Sequence, residues 1–171
     1  MEVKVIIDLN WREVFWDYSI FSSKTNITHR VNCIKKFLNH AHVLKLAKEE
    51  ATLFFEHENP SLISQQLLKQ PDVIITDGKN PVSWYINGLQ GITENPTSQK
   101  IVDTTGAGDA FLAGLISKLI SSGYPSNKLE IEDCVKFAGV CGLLTCLGEG
   151  AIEQQPYYET VSYTHLTLPT R

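Results

Sequence analysis

Ile101-Val102-Asp103-Thr104-Thr105-Gly106-Ala107-Gly108-Asp109-Ala110-Phe111 decides how the rest of the chain is read. Two glycines, two positions apart, follow an acidic residue and a threonine pair, and an apolar run opens directly behind them. Small residues let the backbone turn tightly and aim several N–H groups at one point. Such a turn at the start of a helix is a cradle for an anion, because unpaired amides and the helix dipole both favour negative charge. A cradle of this kind does not ordinarily carry a carboxylate of its own. Asp109 therefore reads as a working group, most simply a general base beside a bound phosphate.

Downstream of this loop, residues 110–120 are strongly apolar and stop at Gly123-Tyr124-Pro125, as a helix would. Residues 131–147 read as a second helix with a dense set of small residues, Ala138, Gly139, Cys141 and Gly142. That stripe admits close approach of another backbone or of a flat ligand. Packing explains it somewhat more readily than a nucleotide pocket.

Upstream, residues 73–76 form a buried-strand run that ends at the breakers Asp77-Gly78-Lys79-Asn80-Pro81. Residues 82–86 and 89–93, joined by Asn87-Gly88, read as a hairpin with a two-residue turn, lying at the edge of an otherwise parallel sheet. Nearer the N-terminus, residues 3–9 are a continuous apolar, β-branched strand, and residues 42–46 a shorter one. Helical spacing joins Ile27, Val31, Ile34 and Phe37, with Asn26 as cap. Lys48-Glu49-Glu50 opens the next helix with its acids where the dipole favours them. Asn59-Pro60 starts another, with Leu62, Ile63, Leu67 and Leu68 as its apolar face. Strands alternating with helices predict an α/β sheet covered by helices. Open α/β sheets bind ligands at the C-terminal ends of their strands, so Asn10 and Arg12, just after the first strand, are site candidates. An Arg12 side chain lying over Trp11 or Trp16 explains the same spacing equally well.

With 171 residues the chain has room for one domain with a substantial core. A formal charge of −4 argues against a dedicated nucleic-acid or membrane-surface binder. No apolar run reaches the length of a bilayer span. The four cysteines, Cys33, Cys134, Cys141 and Cys146, lack paired spacing and read as reduced, mostly buried thiols. His40 and His42 are read as facing solvent. The end of the chain, from Val161-Ser162-Tyr163-Thr164-His165 to Arg171, loses the helical pattern and resembles a translated cloning or sequencing-adapter remnant.

The stretch DTTGAGD followed by AFLAGL resembles the signature of the PfkB carbohydrate kinases, within the ribokinase-like superfamily. Further matches follow the family's order. Asp8-Leu9-Asn10-Trp11-Arg12 with Trp16 resembles the DxNxR…W segment of its fructokinase branch. Lys45-Leu46-Ala47-Lys48-Glu49-Glu50 resembles the fructokinase KxSxxE stretch, Ile75-Thr76-Asp77-Gly78 the nucleotide-side TxG turn, and Gly150-Ala151-Ile152 the closing GAI element. The resemblance implies the C-terminal half of a ribokinase-like three-layer sandwich with a mostly parallel sheet, spanning residues 1–155, with 156–171 as an atypical tail. It implies ATP-dependent phosphorylation of a small sugar at a primary hydroxyl, with Asp109 as catalytic base. Gly106, Ala107 and Gly108 would form the anion hole, and Asn10 and Arg12 would meet substrate or phosphate. Thr76, Gly78, Ala138 and Gly142 would line the nucleotide. Glu50 would act on Mg²⁺ indirectly, and Asp103 would help bind a monovalent cation such as K⁺; each also reads plainly, as a first-turn acid and a loop cap. The implied partners are a sugar and ATP, with no nucleic acid or membrane, and a homodimer in the full-length protein. The implied location is the cytoplasm, or a plastid if a transit peptide precedes this stretch.

Ala47, where the family has a polar residue, and Pro81, in place of the second glycine of the nucleotide turn, depart from the pattern. So does the absence of the family's N-terminal half with its sugar-binding residues and lid. These departures lead to two expectations: that the fragment is inactive alone, or, as an alternative, that the chain is a non-catalytic fructokinase-like binding or regulatory protein.

Overall fold

The computed structural model describes residues 3–12, 24–98 and 100–167. In chain order the elements are β1 (Ile6–Asp8), α1 (Lys24–Leu38), β2 (Val43–Ala47), α2 (Lys48–Phe55), α3 (Pro60–Gln65) and β3 (Asp72–Asp77). They continue with β4 (Asn80–Ile86), β5 (Leu89–Thr93), α4 (Ala107–Ser121), α5 (Lys128–Thr145) and α6 (Tyr158–Thr167). The strands make a five-stranded sheet in the order β1-β2-β3-β4-β5, parallel at its start and antiparallel later. β1 pairs with β2 in parallel, and the register sets Ile6 beside Val43, Ile7 beside Leu44 and Asp8 beside Lys45.

The elements follow from local chemistry. β2 is buried from Val43 to Lys45 and on through Leu46, as a strand covered on both faces must be. β4 alternates instead, burying Val82, Trp84 and Ile86 and leaving the residues between them less covered. Asn87 and Gly88 both take positive φ (50° and 78°), which is what a two-residue turn matched to strand twist requires. Asn59 caps α3 by accepting from the N–H groups of Ser61 and Leu62, with Pro60 in the first turn. The expected apolar face of α3 is narrower than its spacing indicated. Ile63 and Leu67 are buried, whereas Leu62 is 39% and Leu68 86% exposed, because the helix ends at Gln65 and the chain turns away.

The chain divides into two compact units. The first comprises Met1–Ile75 and Trp84–Gln90. Its core gathers Leu44 and Leu46 of β2, Phe54 and Phe55 of α2, Ile63 and Val73. His42, expected to face solvent, instead accepts from the Val5 N–H through Nδ1 at 2.9 Å and so anchors the entry to β1.

The second unit comprises Thr76–Ser83 and Gly91–Arg171. Its centre is the pairing of α4 with α5. A Cβ on Gly114 would fall 2.5 Å from Cys141 Sγ and 3.2 Å from Ala138 Cα, so this crossing is as close as backbone allows. All four cysteines are free thiols, with Cys134, Cys141 and Cys146 buried and Cys33 exposed. Burial pushes the Cys141 thiol up to about 11. The segment that sequence periodicity left without helical pattern forms α6 over residues 158–167. It covers Phe137 of α5 with Tyr158 and His165, and buries Val161.

Candidate functional site

In the first unit the candidate residues cluster where β1 and β2 end. Asp8 and Lys45 are register partners on adjacent parallel strands, so their side chains share a face of the sheet. Lys45 Nζ donates to Asp8 Oδ2 at 3.0 Å, with only 8% and 12% of the two side chains exposed. Asp8 Oδ1 is buried with no hydrogen-bond partner. Sequence reading quoted both residues within motifs and gave neither a role; a lysine inside an otherwise apolar strand (VLKLA) was the available signal.

Glu50 is 7% exposed and ties two segments together. Its Oε1 accepts from the Trp11 N–H in the loop after β1, and its Oε2 accepts from the Ala47 N–H at 2.7 Å. The second contact is half of a capping box at the start of α2; Ala47 has no side-chain oxygen with which to return it. Both carboxylate oxygens are thus engaged by backbone amides, which leaves second-lone-pair contacts through water as the route to a cation.

The β1 loop is bent at Asn10, whose φ is 44°. Arg12 Nε donates to Asn10 Oδ1 at 3.1 Å, so the two predicted substrate residues are brought together, and the Arg12 head is held by Asn10. They edge a cleft of about 510 Å³ that Trp11, Ile34 and Phe37 help to line. Trp16 lies outside the described residues.

In the second unit Gly106 caps α4 at φ 80°. A Cβ there would meet Ala151 Cβ at 2.8 Å, so glycine is required both by conformation and by contact. Asp103 is the brace of the loop. Its Oδ1 accepts from the Thr105 N–H (2.9 Å) and the Thr105 hydroxyl (2.7 Å), and its Oδ2 accepts from the Gly150 N–H (3.1 Å). The Thr105 donors, then Gly150, hold this carboxyl below its ordinary range. The GAI element and the DTTG turn are therefore one construction.

Ala107 N–H donates to the Thr104 carbonyl at 3.2 Å, which commits one of the three predicted anion-hole amides to closing the turn. A helix leaves its first N–H groups without intrahelical acceptors, which keeps the Gly108 and Asp109 amides available beside that of Gly106. Asp109 stands exposed in the first turn of α4 and makes no hydrogen bond or ion pair with any described residue.

Thr76 and Gly78 close β3 and open its turn, with Gly78 exposed at φ 53°. Ala138 and Gly142, placed at the nucleotide by the resemblance and somewhat more readily in helix packing by their spacing, lie in the α4–α5 crossing. Ala138 is wholly buried against Gly114 of α4, and a Cβ on Gly142 would meet the Ala107 carbonyl at 3.0 Å. Close helix packing uses both positions, so neither offers open surface. Among the described residues no group of three or more His, Cys, Asp and Glu side chains could hold a metal ion, and no helix is long and apolar enough to cross a membrane.

The model of the pfkB family carbohydrate kinases matches residues 8–157, a span that includes both clusters. The chain belongs to this carbohydrate kinase family. Among its relatives, a fructokinase of Salmonella thompson is 33% identical over 130 residues, covering 73% of this chain and 58% of its own length. A fructokinase of Vibrio cholerae, solved with fructose, ADP and a calcium ion, superposes with a TM-score of 0.73 at 27% identity, over 94% of this chain and 50% of that one. A Xylella fastidiosa fructokinase solved with bound ATP gives a TM-score of 0.77 at 24% identity, covering 94% of this chain and 51% of that one; this likeness concerns the fold. The chain thus spans about half the length of these relatives.

Proposed function

We propose that residues 1–155 are the catalytic part of an ATP-dependent, fructokinase-like sugar kinase, with 156–171 an atypical tail that covers α5 and supplies no catalytic group. One observation carries this reading: an exposed, unpartnered Asp109 in the first turn of a helix, beside amides that a braced glycine loop leaves free. Phosphoryl transfer asks little covalent work of a protein; it needs in-line positioning and donors for developing charge. Asp109 takes the proton from the sugar's primary hydroxyl as that oxygen attacks the γ-phosphorus. The bond to the β-phosphate oxygen breaks and ADP leaves. The amides of Gly106 and Gly108 receive the charge on the transferring group, joined by that of Asp109 in place of Ala107.

In the first unit Asn10 and Arg12 meet the substrate or its phosphate, and in the second Thr76 and Gly78 approach the nucleotide. Ala138 and Gly142 serve the nucleotide side indirectly, by fixing α5 against α4. A magnesium ion bound with ATP would neutralise phosphate charge, and Glu50 would orient its water ligands through the lone pairs its amide contacts leave free. Asp103, which accepts from three donors, shapes the loop that a monovalent cation such as K⁺ would support.

The test is phosphorylation of fructose by a protein extended to the length of the relatives, with and without Asp109→Asn. Retention of full turnover by that variant would falsify the base assignment. The 171-residue chain alone is expected to bind nucleotide and to show no turnover, since it spans about half the length of its relatives and transfer requires water to be excluded from the sugar. A second reading, a non-catalytic relative, draws on Ala47, which leaves the Glu50 cap unreciprocated. Fructose binding without phosphorylation by the extended protein would favour it.

A further inference from the structure

Asn95 follows the hairpin in sequence and belongs to no motif quoted above. Its Nδ2 donates to the Gly78 carbonyl at 2.6 Å, across seventeen residues of chain. Its Oδ1 is buried without a hydrogen-bond partner. That oxygen lies against α5: a Cβ built on Gly139 would fall 2.5 Å from it, and 2.9 Å from Pro96 Cδ.

An orphaned buried amide oxygen is costly, so the side chain has to be held by what its other end and its packing achieve. Here the amide nitrogen grips the Gly78 carbonyl, on a side of the turn where nothing lies within 4 Å of the position a Gly78 Cβ would take. Gly139 supplies the flat seat on α5 that lets the amide come so close. The three residues form a latch between the turn after β3 and the helix α5.

We propose that Asn95 is a positioning residue for the nucleotide side of the site, holding the Thr76–Gly78 turn in register with α5 by its bond to Gly78 and its seat on Gly139. This rests on the reading above that the turn meets the nucleotide. It accounts for a small residue at Gly139 without needing a ligand against the helix. The consequence is specific: losing the latch loosens nucleotide binding while the Gly106–Asp109 loop keeps its own braces.

The experiment titrates the 171-residue chain with mant-ATP and magnesium, following fluorescence, and compares Asn95→Ala, Asn95→Asp, Gly139→Ala and the double variant Asn95→Ala/Gly139→Ala. Asn95→Asp keeps the size of the side chain but sets an oxygen against the Gly78 carbonyl, so it tests the bond if the alanine variant fails to fold. Each single change is expected to weaken binding about tenfold, the effect of one lost positioning hydrogen bond in a site that must be preformed. The double variant is expected to bind no worse than the weaker single one, because both break the same latch. Binding by folded Asn95→Asp or Asn95→Ala equal to that of the unsubstituted chain overturns the inference alone, as do fully multiplying losses in the double variant. Failure of the unsubstituted chain to bind mant-ATP overturns the nucleotide reading, and this inference with it.

Discussion

The two clusters of charged residues handle their carboxylates in opposite ways. Around β1 and β2 the charges are withdrawn from water: Asp8 is locked to Lys45, and Glu50 spends both oxygens on backbone amides. Around the start of α4 they stay nearer the surface: Asp103 braces the loop from a half-buried position, and Asp109 is exposed and makes no hydrogen bond or ion pair with a described residue. A buried charge must be matched where it sits, which leaves it little freedom to move or exchange a proton. An exposed one next to free amides can act. In the function proposed above, the first cluster is scaffolding with Asn10 and Arg12 at its rim, and the second is the reactive centre.

The most decisive way to break this contrast is at Asp109. Asp109→Asn in the extended protein is expected to lower turnover with fructose about 10²–10⁴-fold, with melting unchanged, as measured by coupled assay and calorimetry. Lys45→Met is the corresponding cut in the first cluster. Leaving Asp8 buried and unpaired is expected to cost about 3–5 kcal/mol in denaturant titration, and Asp8→Asn/Lys45→Met to recover much of that. If the single variant melts like the parent, the pair is not the scaffold described.

Gly106→Ala tests the loop itself. It strains a φ of 80° and drives a methyl into Ala151, so a loss of about 1–3 kcal/mol and weaker nucleotide binding are expected in the same titrations. A smaller, pH-dependent effect belongs to Asp103. Its carboxyl is held below the ordinary value by donors present only in the folded loop, so its contribution is complete above the unfolded-state pKa and is lost as pH falls through the folded one. Amide exchange at Thr105 and Gly150 is expected to stay protected through pH 4 and to open below it, whereas Asp103→Asn is open at neutral pH. Smallest is the effect of deleting residues 162–171. Nucleotide affinity is expected to move less than twofold, although Phe137 loses the cover of His165 and the melting temperature falls by a few degrees.

Much of this was legible in one dimension because its causes are local. The Gly106–Asp109 turn, the cap at Asn59-Pro60 and the Asn87-Gly88 hairpin each follow from residue types within a few positions. The α/β class and the hairpin at the sheet edge follow from the alternation of elements and the Asn87-Gly88 turn, whereas the full strand order came from the structure. The roles that were missed join residues far apart. Asp8 meets Lys45 across two strands, Trp11 meets Glu50 from another loop, and Asn95 reaches back to Gly78. The stripe at Ala138 and Gly142 admitted a ligand or a helix in sequence, with packing somewhat the readier reading; the approach of α4 to within a methyl's reach shows that a helix fills it.

The sequence alone therefore determined the glycine turn and the carboxylate in the first turn of α4, since both need nothing beyond seven consecutive residues. The tertiary structure decided which carboxylates remain free to react. That depends on burial and on donors brought in from distant segments, and no spacing along the chain records it.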